Sequence, residues 1–275
     1  MKQHTIKALL LTTGVASILQ TANAAPLIYN ADDLFLGFRS SNSTTDFLIN
    51  IGQASIYRDA APGVPFSLSI GSIAADLSAV FGANWNSASR PDIFWGVVGT
   101  PGGSAAVGSD ATNTLYATTQ QNPLGSATST PAAPGSNSAQ AAVANRFVAL
   151  SQGYLSGVDS NGGVTPAVNP AGLRQDGTAA GSWQVFNGGV QPATGNSFSY
   201  FANGIEGDFG SGNEGSAIDL YRISKNPSGV ASLEGRFTIN DAGLVTFANG
   251  VPEPTSAMML CLGASVLGFT RRRRA

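Results

Sequence analysis

Short apolar runs separated by polar turns are the main pattern along this chain of 275 residues. Seven runs have the length of β-strands, at 34–38, 47–51, 65–70, 92–98, 218–223, 233–239 and 244–248. In the third run Phe66, Leu68 and Ile70 alternate with serines, which predicts a strand with one buried face. The last two runs flank a polar segment at 240–243, which predicts a β-hairpin.

Two segments have helical periodicity instead. At 72–81 the apolar positions fall on one helix face, with Ser72 before them and Gly82 after them as predicted caps. At 138–151 alanines and larger apolar residues form a second amphipathic pattern. The segments 99–137 and 157–181 are rich in Gly, Ser, Thr, Ala and Pro, and we expect long surface loops there. The predicted fold is mainly β, a β-sandwich or jelly-roll-like domain with two short helices.

The amino-terminal segment has the three parts of a signal peptide. Lys2 and Lys7 precede an apolar stretch at 8–19, and Ala22-Asn23-Ala24 forms a small-x-small cleavage site. We therefore expect residues 1–24 to direct export through the Sec pathway. Signal peptidase then leaves a mature chain that begins at Ala25.

The carboxyl-terminal segment combines a proline motif, an apolar stretch and an arginine cluster. Val251-Pro252-Glu253-Pro254 leads into an uncharged stretch at 255–270, followed by Arg271-Arg272-Arg273-Arg274. The apolar stretch predicts a single transmembrane helix, and the arginines should stay on the cytoplasmic side. Sixteen helical residues span only about 24 Å, against a hydrocarbon core of roughly 30 Å. This favours a transient membrane intermediate over the alternative of a permanent tail anchor.

This carboxyl-terminal arrangement resembles the PEP-CTERM sorting signal of bacterial exosortase substrates. The resemblance implies that an exosortase-type membrane enzyme cuts near Pro252, Glu253 and Pro254 and passes the body to the cell exterior. The body, with Asp32-Asp33-Leu34-Phe35-Leu36-Gly37-Phe38 and Trp95-Gly96-Val97, resembles a large group of PEP-CTERM proteins, a likeness that implies no activity. We expect three regions: a signal peptide at 1–24, a β-rich exported domain at 25–250 and a sorting signal at 251–275. The destination is then the inner membrane, followed by the surface or extracellular matrix of a Gram-negative-type bacterium.

The composition of residues 25–250 excludes several kinds of chemistry. The only His is His4 and the only Cys is Cys261, so this region offers no Ser-His-Asp triad, thiol nucleophile, disulfide or His/Cys zinc site. Setting aside Glu253 and the six terminal bases leaves fifteen acids and eight bases, a net charge of −7. An acidic surface repels phosphate backbones, so we expect no nucleic-acid partner.

Four carboxylates near 203–219 are the strongest candidates for chemistry: Glu206, Asp208, Glu214 and Asp219. On an extended segment Glu206 and Asp208 share a face at about 6.5–7 Å, between the two carboxylate spacings of glycosidases. We favour solvated loop acids over a catalytic pair, and we expect no cofactor. Calcium is the alternative, held by Glu206, Asp208, Glu214 and Asp219 or by a calcium-loop fragment at 159–162.

Three hypotheses for the function follow. The first is a non-catalytic surface or extracellular-matrix protein, sorted by an exosortase-type enzyme and associated with exopolysaccharide or biofilm. The second is a carbohydrate-binding module, with Trp183 as the predicted exposed aromatic contact for a sugar ring. The third is a secreted glycosidase that uses Glu206 and Asp208. We favour the first.

Overall fold

The computed structural model describes residues 27–87, 89–120, 136–157, 165–166, 169–186, 201, 204–209, 217–224 and 231–249. In chain order the strands are β1 (Asp33–Ser40), β2 (Thr45–Gln53), β3 (Phe66–Ser72), β4 (Ile93–Gly99), β5 (Leu115–Gln120), β6 (Thr165–Pro166), β7 (Gly172–Asp176), β8 (Gly207–Asp208), β9 (Ala217–Ile223), β10 (Ala231–Ile239) and β11 (Leu244–Ala248). The helices are α1 (Ala54–Arg58), α2 (Ala74–Phe81), α3 (Asn137–Ser156) and α4 (Trp183–Phe186).

The described strands form one antiparallel sheet in the order β3-β11-β10-β9-β5-β4-β1-β2-β7-β6, with β8 paired to β4. All seven runs predicted from the sequence are strands, and the hairpin predicted around 240–243 joins β10 to β11. The sheet is curled, as the contacts of Tyr57 show. This residue of α1, just after β2, lies 5.2 Å from the Phe237 ring and 5.0 Å from the Phe247 ring, centroid to centroid. These two rings belong to β10 and β11, near the opposite end of the strand order.

The inner face of the curled sheet holds the larger apolar core. On β1 the residues Leu34, Leu36 and Phe38 point inward, and Trp95 of β4 stacks on Phe38 at 5.9 Å between centroids. Helices α1 and α2 contribute residues to the same cluster, including Tyr57. Trp95 is a core residue, since its exposed fraction is 0%.

The outer face carries a second core. Phe35 of β1 points to this side, where its ring meets that of Tyr154 of α3 at 5.0 Å between centroids. Helix α3 covers the outer face with Val143, Phe147 and Leu150, which are all buried. Strand β1 is therefore buried on both faces, which explains why its sequence is a continuous apolar run.

Both helices predicted from the sequence are present with shifted ends. Helix α2 begins at Ala74, so the predicted cap Ser72 lies one residue too early; its hydroxyl donates to the Ala242 carbonyl at 2.6 Å. Gly82 does end α2, with φ at 91°. Helix α3 is longer than predicted and begins after Ser136, whose Oγ accepts a hydrogen bond from the Ala139 amide at 3.2 Å.

Three parts of the predicted architecture are wrong. One continuous curled sheet replaces the two facing sheets of a β-sandwich or jelly roll, because β4 and β5 hydrogen-bond the two halves together. The segment predicted as a loop at 99–137 contains β5, which lies in the middle of the sheet. The segment at 157–181 contains β6 and β7. Two further short helices, α1 and α4, were not predicted.

Several predictions fall outside the described residues: the signal peptide at 1–24, the sorting signal at 251–275 with its transmembrane helix, Glu214 and the fragment at 159–162. In the part of the chain that is described, no helix combines the length and the apolar character needed to cross a membrane.

Candidate functional site

Glu206 lies in a buried cluster with Arg39 and Trp183 on the outer face of the sheet. The Arg39 guanidinium donates to both carboxylate oxygens, from Nε at 3.0 and 2.8 Å and from Nη2 at 2.6 Å. The Trp183 indole Nε1 donates to Glu206 Oε1 at 2.7 Å. The side chains of Arg39 and Glu206 are only 4% and 7% exposed. The prediction that Glu206 is a solvated loop acid is therefore wrong.

Glycines in two central strands make room for this cluster. A methyl group added at Gly37 of β1 would overlap the Trp183 indole ring, and one added at Gly96 of β4 would lie 3.3 Å from its Cζ2. Trp183 therefore lies flat on the sheet, with an exposed fraction of 0%. The prediction that Trp183 is a surface contact for a sugar ring is wrong, because both its ring and its N–H already have partners inside the protein. A glycine inside a strand pattern signals close approach, and Gly37 is the sequence signal that indicates this contact.

The geometry assigns Glu206 a structural part. A catalytic carboxylate must be reached by substrate and must exchange a proton or form a bond to a sugar carbon. Both oxygens of Glu206 instead accept hydrogen bonds from a guanidinium and an indole, which do not release these protons. The Arg39 guanidinium also lies over the Phe94 ring, 4.7 Å from its centre. Asp208 belongs to β8, which pairs with β4. These contacts and the 7% exposure of its side chain keep Glu206 from a substrate, so the predicted pair lacks one of its two carboxylates.

The contacts of Glu206 and Asp219 do not suit calcium at these two residues. Arg39 occupies both oxygens of Glu206, and Arg236 Nε donates to Asp219 Oδ1 at 2.8 Å. A guanidinium beside each carboxylate competes with a cation for its oxygens. Within the described ranges no three His, Cys, Asp or Glu side chains lie close enough together to hold a metal ion.

A second charged cluster, which the sequence did not predict, surrounds the fully buried Asp110. Its carboxylate accepts from Arg58 Nη1, from Arg222 Nε at 2.6 Å and from the Tyr116 hydroxyl at 2.9 Å. Asp32 lies beside it, in the left-handed region with φ at 73°. Burial and the Asp110 charge raise the pKa of Asp32 to about 8. The cluster joins α1, β5 and β9 through one acid, which indicates a structural part for these charges as well.

A third buried acid, Asp46, lies between β2, β7 and α4. Its Oδ2 accepts from the Gln184 backbone N–H at 2.9 Å, and its neighbour across the strand pair is Gln175. Burial is the main cause that raises the pKa of Asp46 to about 7. Asp46 Oδ1 and Gln184 Oε1 are both buried acceptors without a hydrogen bond among the described residues. A proton on Asp46 Oδ1 would turn that oxygen from an unpaired acceptor into a hydrogen-bond donor.

Comparison with known proteins identifies the carboxyl-terminal segment. Residues 250–274 match the family model of the PEP-CTERM protein-sorting motif. This match confirms the predicted resemblance, and it contains Val251, Pro252, Glu253 and Pro254 as well as Arg271, Arg272, Arg273 and Arg274. The motif indicates an exported protein, directed to the cell surface and processed by an exosortase-type membrane enzyme. Neither the curated proteins nor the solved structures contain a match to the chain.

Proposed function

We propose that this is a non-catalytic surface or extracellular-matrix protein whose β-rich domain works outside the cell by binding. The observation that carries the proposal is the PEP-CTERM protein-sorting motif at residues 250–274. In this proposal, signal peptidase cuts before Ala25, the apolar stretch holds the chain briefly in the inner membrane, and the exosortase-type enzyme cuts near Pro252. Release then places the domain in an exopolysaccharide or biofilm matrix.

The charged groups of the domain support a non-catalytic part. Six arginines in the described residues form seven ion pairs with acids, and in five of these pairs the side chain of the acid is at most 7% exposed. The acids of these five pairs are Glu206, Asp110, Asp76 and Asp219. Charges committed to each other in this way stabilise the fold but offer no proton or nucleophile to a substrate. The absence of His and Cys from residues 25–250 removes the commonest alternatives.

The core supports a domain that stays folded without covalent help. Cys261 is the only cysteine of the chain and lies in the sorting signal, so residues 25–250 can form no disulfide. Burial on both faces of β1 and β4 supplies the stability that small exported domains often obtain from disulfides. Such a domain suits long residence outside the cell.

The sorting step is tested by the intact mass of the mature protein from cells with and without the exosortase-type enzyme. With the enzyme, we expect a chain that begins at Ala25 and ends near Pro252. Without it, we expect a membrane-associated chain that still contains the arginine cluster. The matched variant changes Pro252, Glu253 and Pro254 to alanine and leaves the apolar stretch intact, so it should be exported but not cut. An identical mass reaching Ala275 in both strains would falsify the sorting proposal.

A carbohydrate-binding module is the second candidate function. The observation that favours it is a solvent-facing cleft lined by polar side chains, aliphatic groups, Tyr154 and one buried carboxylate, Asp33. It differs from the first candidate only in that the domain itself contacts the glycan. Its test is a direct binding measurement with the processed protein.

A further inference from the structure

A cleft of about 550 Å³ lies where the curled sheet remains open. One wall comes from the edge strand β3, through Ser69 and Ile70, and the opposite wall from the end of β2. The segment at 169–171 bridges the two walls, because Asn169 Nδ2 donates to the Ile70 carbonyl at 2.5 Å and the Ala171 carbonyl accepts from the Asn50 backbone N–H at 3.2 Å. Open ends of barrel-like sheets are frequent ligand sites, since side chains from several strands converge there.

The floor of the cleft is rigid and polar. Asp33, only 3% exposed, accepts hydrogen bonds from the Asn30 backbone N–H and the Asn50 Nδ2, both at 2.8 Å, and from the Gln53 Nε2. The two side-chain amides are fixed further, because Asn50 also donates to the Ile28 carbonyl and Gln53 to the Ala31 carbonyl. Three donors offset the Asp33 charge and hold the floor in one arrangement.

Three uncharged polar groups are left over for a ligand. Within the described part of the chain, no hydrogen bond engages Gln53 Oε1, the Asn30 side-chain amide or the Ser69 hydroxyl. All three belong to residues that line the cleft. Together they offer acceptors and donors without formal charge.

The rim of the cleft is aliphatic. Ile28 and Ile56 line it with exposed fractions of 64% and 51%, unusually high for isoleucine, and Ile70 and Pro170 complete the apolar surface. Among the described residues, no lysine, arginine or glutamate lines the cleft, and the one carboxylate is Asp33, which accepts three hydrogen bonds from N–H groups. A phosphate or carboxylate ligand would therefore find no cationic partner here.

We propose that this cleft binds a segment of a neutral polysaccharide. A sugar chain presents hydroxyl groups at its edges and C–H groups on its faces, which match the uncharged polar groups and the aliphatic rim. An acidic polysaccharide is disfavoured because residues 25–250 carry a net charge of −7. This inference rests on the proposed function, and it names the ligand class and the place where the exported domain would contact the matrix.

The test measures binding of the processed protein, purified from the cell exterior, to short neutral oligosaccharides (glucan, galactan and mannan), with uronic acid oligomers for comparison. Ile56→Lys introduces a charge at the cleft, whereas Val64→Lys does the same at a residue that is 61% exposed and does not line it. Ser69→Ala removes a hydroxyl that lines the cleft and leaves the hydrogen bonds of the floor intact. We expect binding to at least one neutral oligomer that weakens about tenfold in Ile56→Lys and Ser69→Ala. Val64→Lys should bind as the unchanged protein does.

Each other outcome has a defined meaning. Equal affinity for neutral and uronic acid oligomers, or equal weakening by Val64→Lys, overturns the site. The edge of β3 could instead pair with an extended peptide. Binding of a β-forming peptide library that depends on Ile56, with no binding of any oligosaccharide, therefore overturns the ligand class. Absence of glycan binding by a correctly trimmed protein counts against the cleft alone, because the mass measurement tests sorting independently.

Discussion

Replacing Glu206 by glutamine tests whether this acid serves the fold or a reaction. The carboxylate accepts three N–H contacts from Arg39 and one from Trp183, all between 2.6 and 3.0 Å. In Glu206→Gln either Oε1 or Oε2 becomes an NH2 group, which would then face donors. The guanidinium, 4% exposed, would lose its charged partner.

Breaking a buried ion pair costs about 3–5 kcal/mol, because an uncompensated charge stays buried. We therefore expect Glu206→Gln to lower the free energy of unfolding by roughly that amount. Asp59→Asn is the matched control, since Asp59 also pairs with an arginine, Arg58, but its side chain is 62% exposed. Exposed pairs contribute about 0–1 kcal/mol, so the control should unfold almost as the unchanged protein does.

The assay is unfolding in guanidinium chloride, followed by tryptophan fluorescence. Trp85, Trp95 and Trp183 are all at most 3% exposed, so unfolding changes the surroundings of every indole. A double-mutant cycle with Arg39→Met, Glu206→Met and the variant that carries both separates the pair from its surroundings. The double variant should lose less stability than the sum of the two single losses, by about 2–3 kcal/mol. If Glu206→Gln loses no more stability than Asp59→Asn, yet abolishes a hydrolytic activity of the unchanged protein, the structural assignment is wrong.

Two further predictions concern buried positions near α4. The pKa of Asp46 rises from 3.8 to about 7 on folding, so the folded state binds more protons between these values and stability must fall as pH increases through that window. The loss is up to about 4 kcal/mol, and Asp46→Asn should make the pH dependence of the unfolding midpoint shallower, whereas Asp59→Asn should leave it steep. Gly37→Ala places a methyl group in the space of the Trp183 ring and should cost about 1–3 kcal/mol by overpacking. Gly103→Ala, where the nearest atom is a side-chain oxygen at 3.2 Å, should leave the thermal midpoint nearly unchanged, and an equal midpoint for the two variants would contradict the close packing.

The strands at both ends of the domain could be predicted because their side chains alternate or are uniformly apolar. Phe66, Leu68 and Ile70 face the inner core, while the serines between them are exposed, as the period of two requires. The hairpin between β10 and β11 was predictable from a polar turn between two such runs. In these segments the local pattern and the final environment agree.

Strand β5 could not be recognised because its burial depends on partners far away in the sequence. Its sequence LYATTQ is only half apolar, and polar segments surround it. Thr118 is nevertheless fully buried, since its hydroxyl donates to the Ile205 carbonyl at 2.8 Å and accepts from the Val97 amide at 2.8 Å. A threonine can be buried in a sheet when its hydroxyl has hydrogen-bond partners, but the residues next to it in the sequence do not indicate those partners.

The Glu206 cluster could not be predicted from the sequence either, because its members also lie far apart along the chain. A carboxylate flanked by glycines suggests a solvated loop, and its partner Arg39 lies on the first strand of the domain. Only the fold brings the two charges together and places the Trp183 indole N–H within 2.7 Å of Glu206 Oε1. The signals that the sequence did carry were Gly37 and Gly96, which interrupt buried strands where the indole packs.

The buried pairs also determine where this domain can recognise a ligand. Because Glu206, Asp110, Asp76 and Asp219 are each paired with arginine, charge is used to join strands and helices inside the domain. With the arginines occupied in these pairs, the domain has few cationic groups to offer an anionic ligand. The described structure brings hydroxyls, amides and aliphatic groups together in the cleft between β2 and β3, around the hydrogen-bonded Asp33. Recognition there would depend little on salt, because no counterions are released, and affinity for a neutral oligosaccharide that fell steeply with salt would place the binding elsewhere.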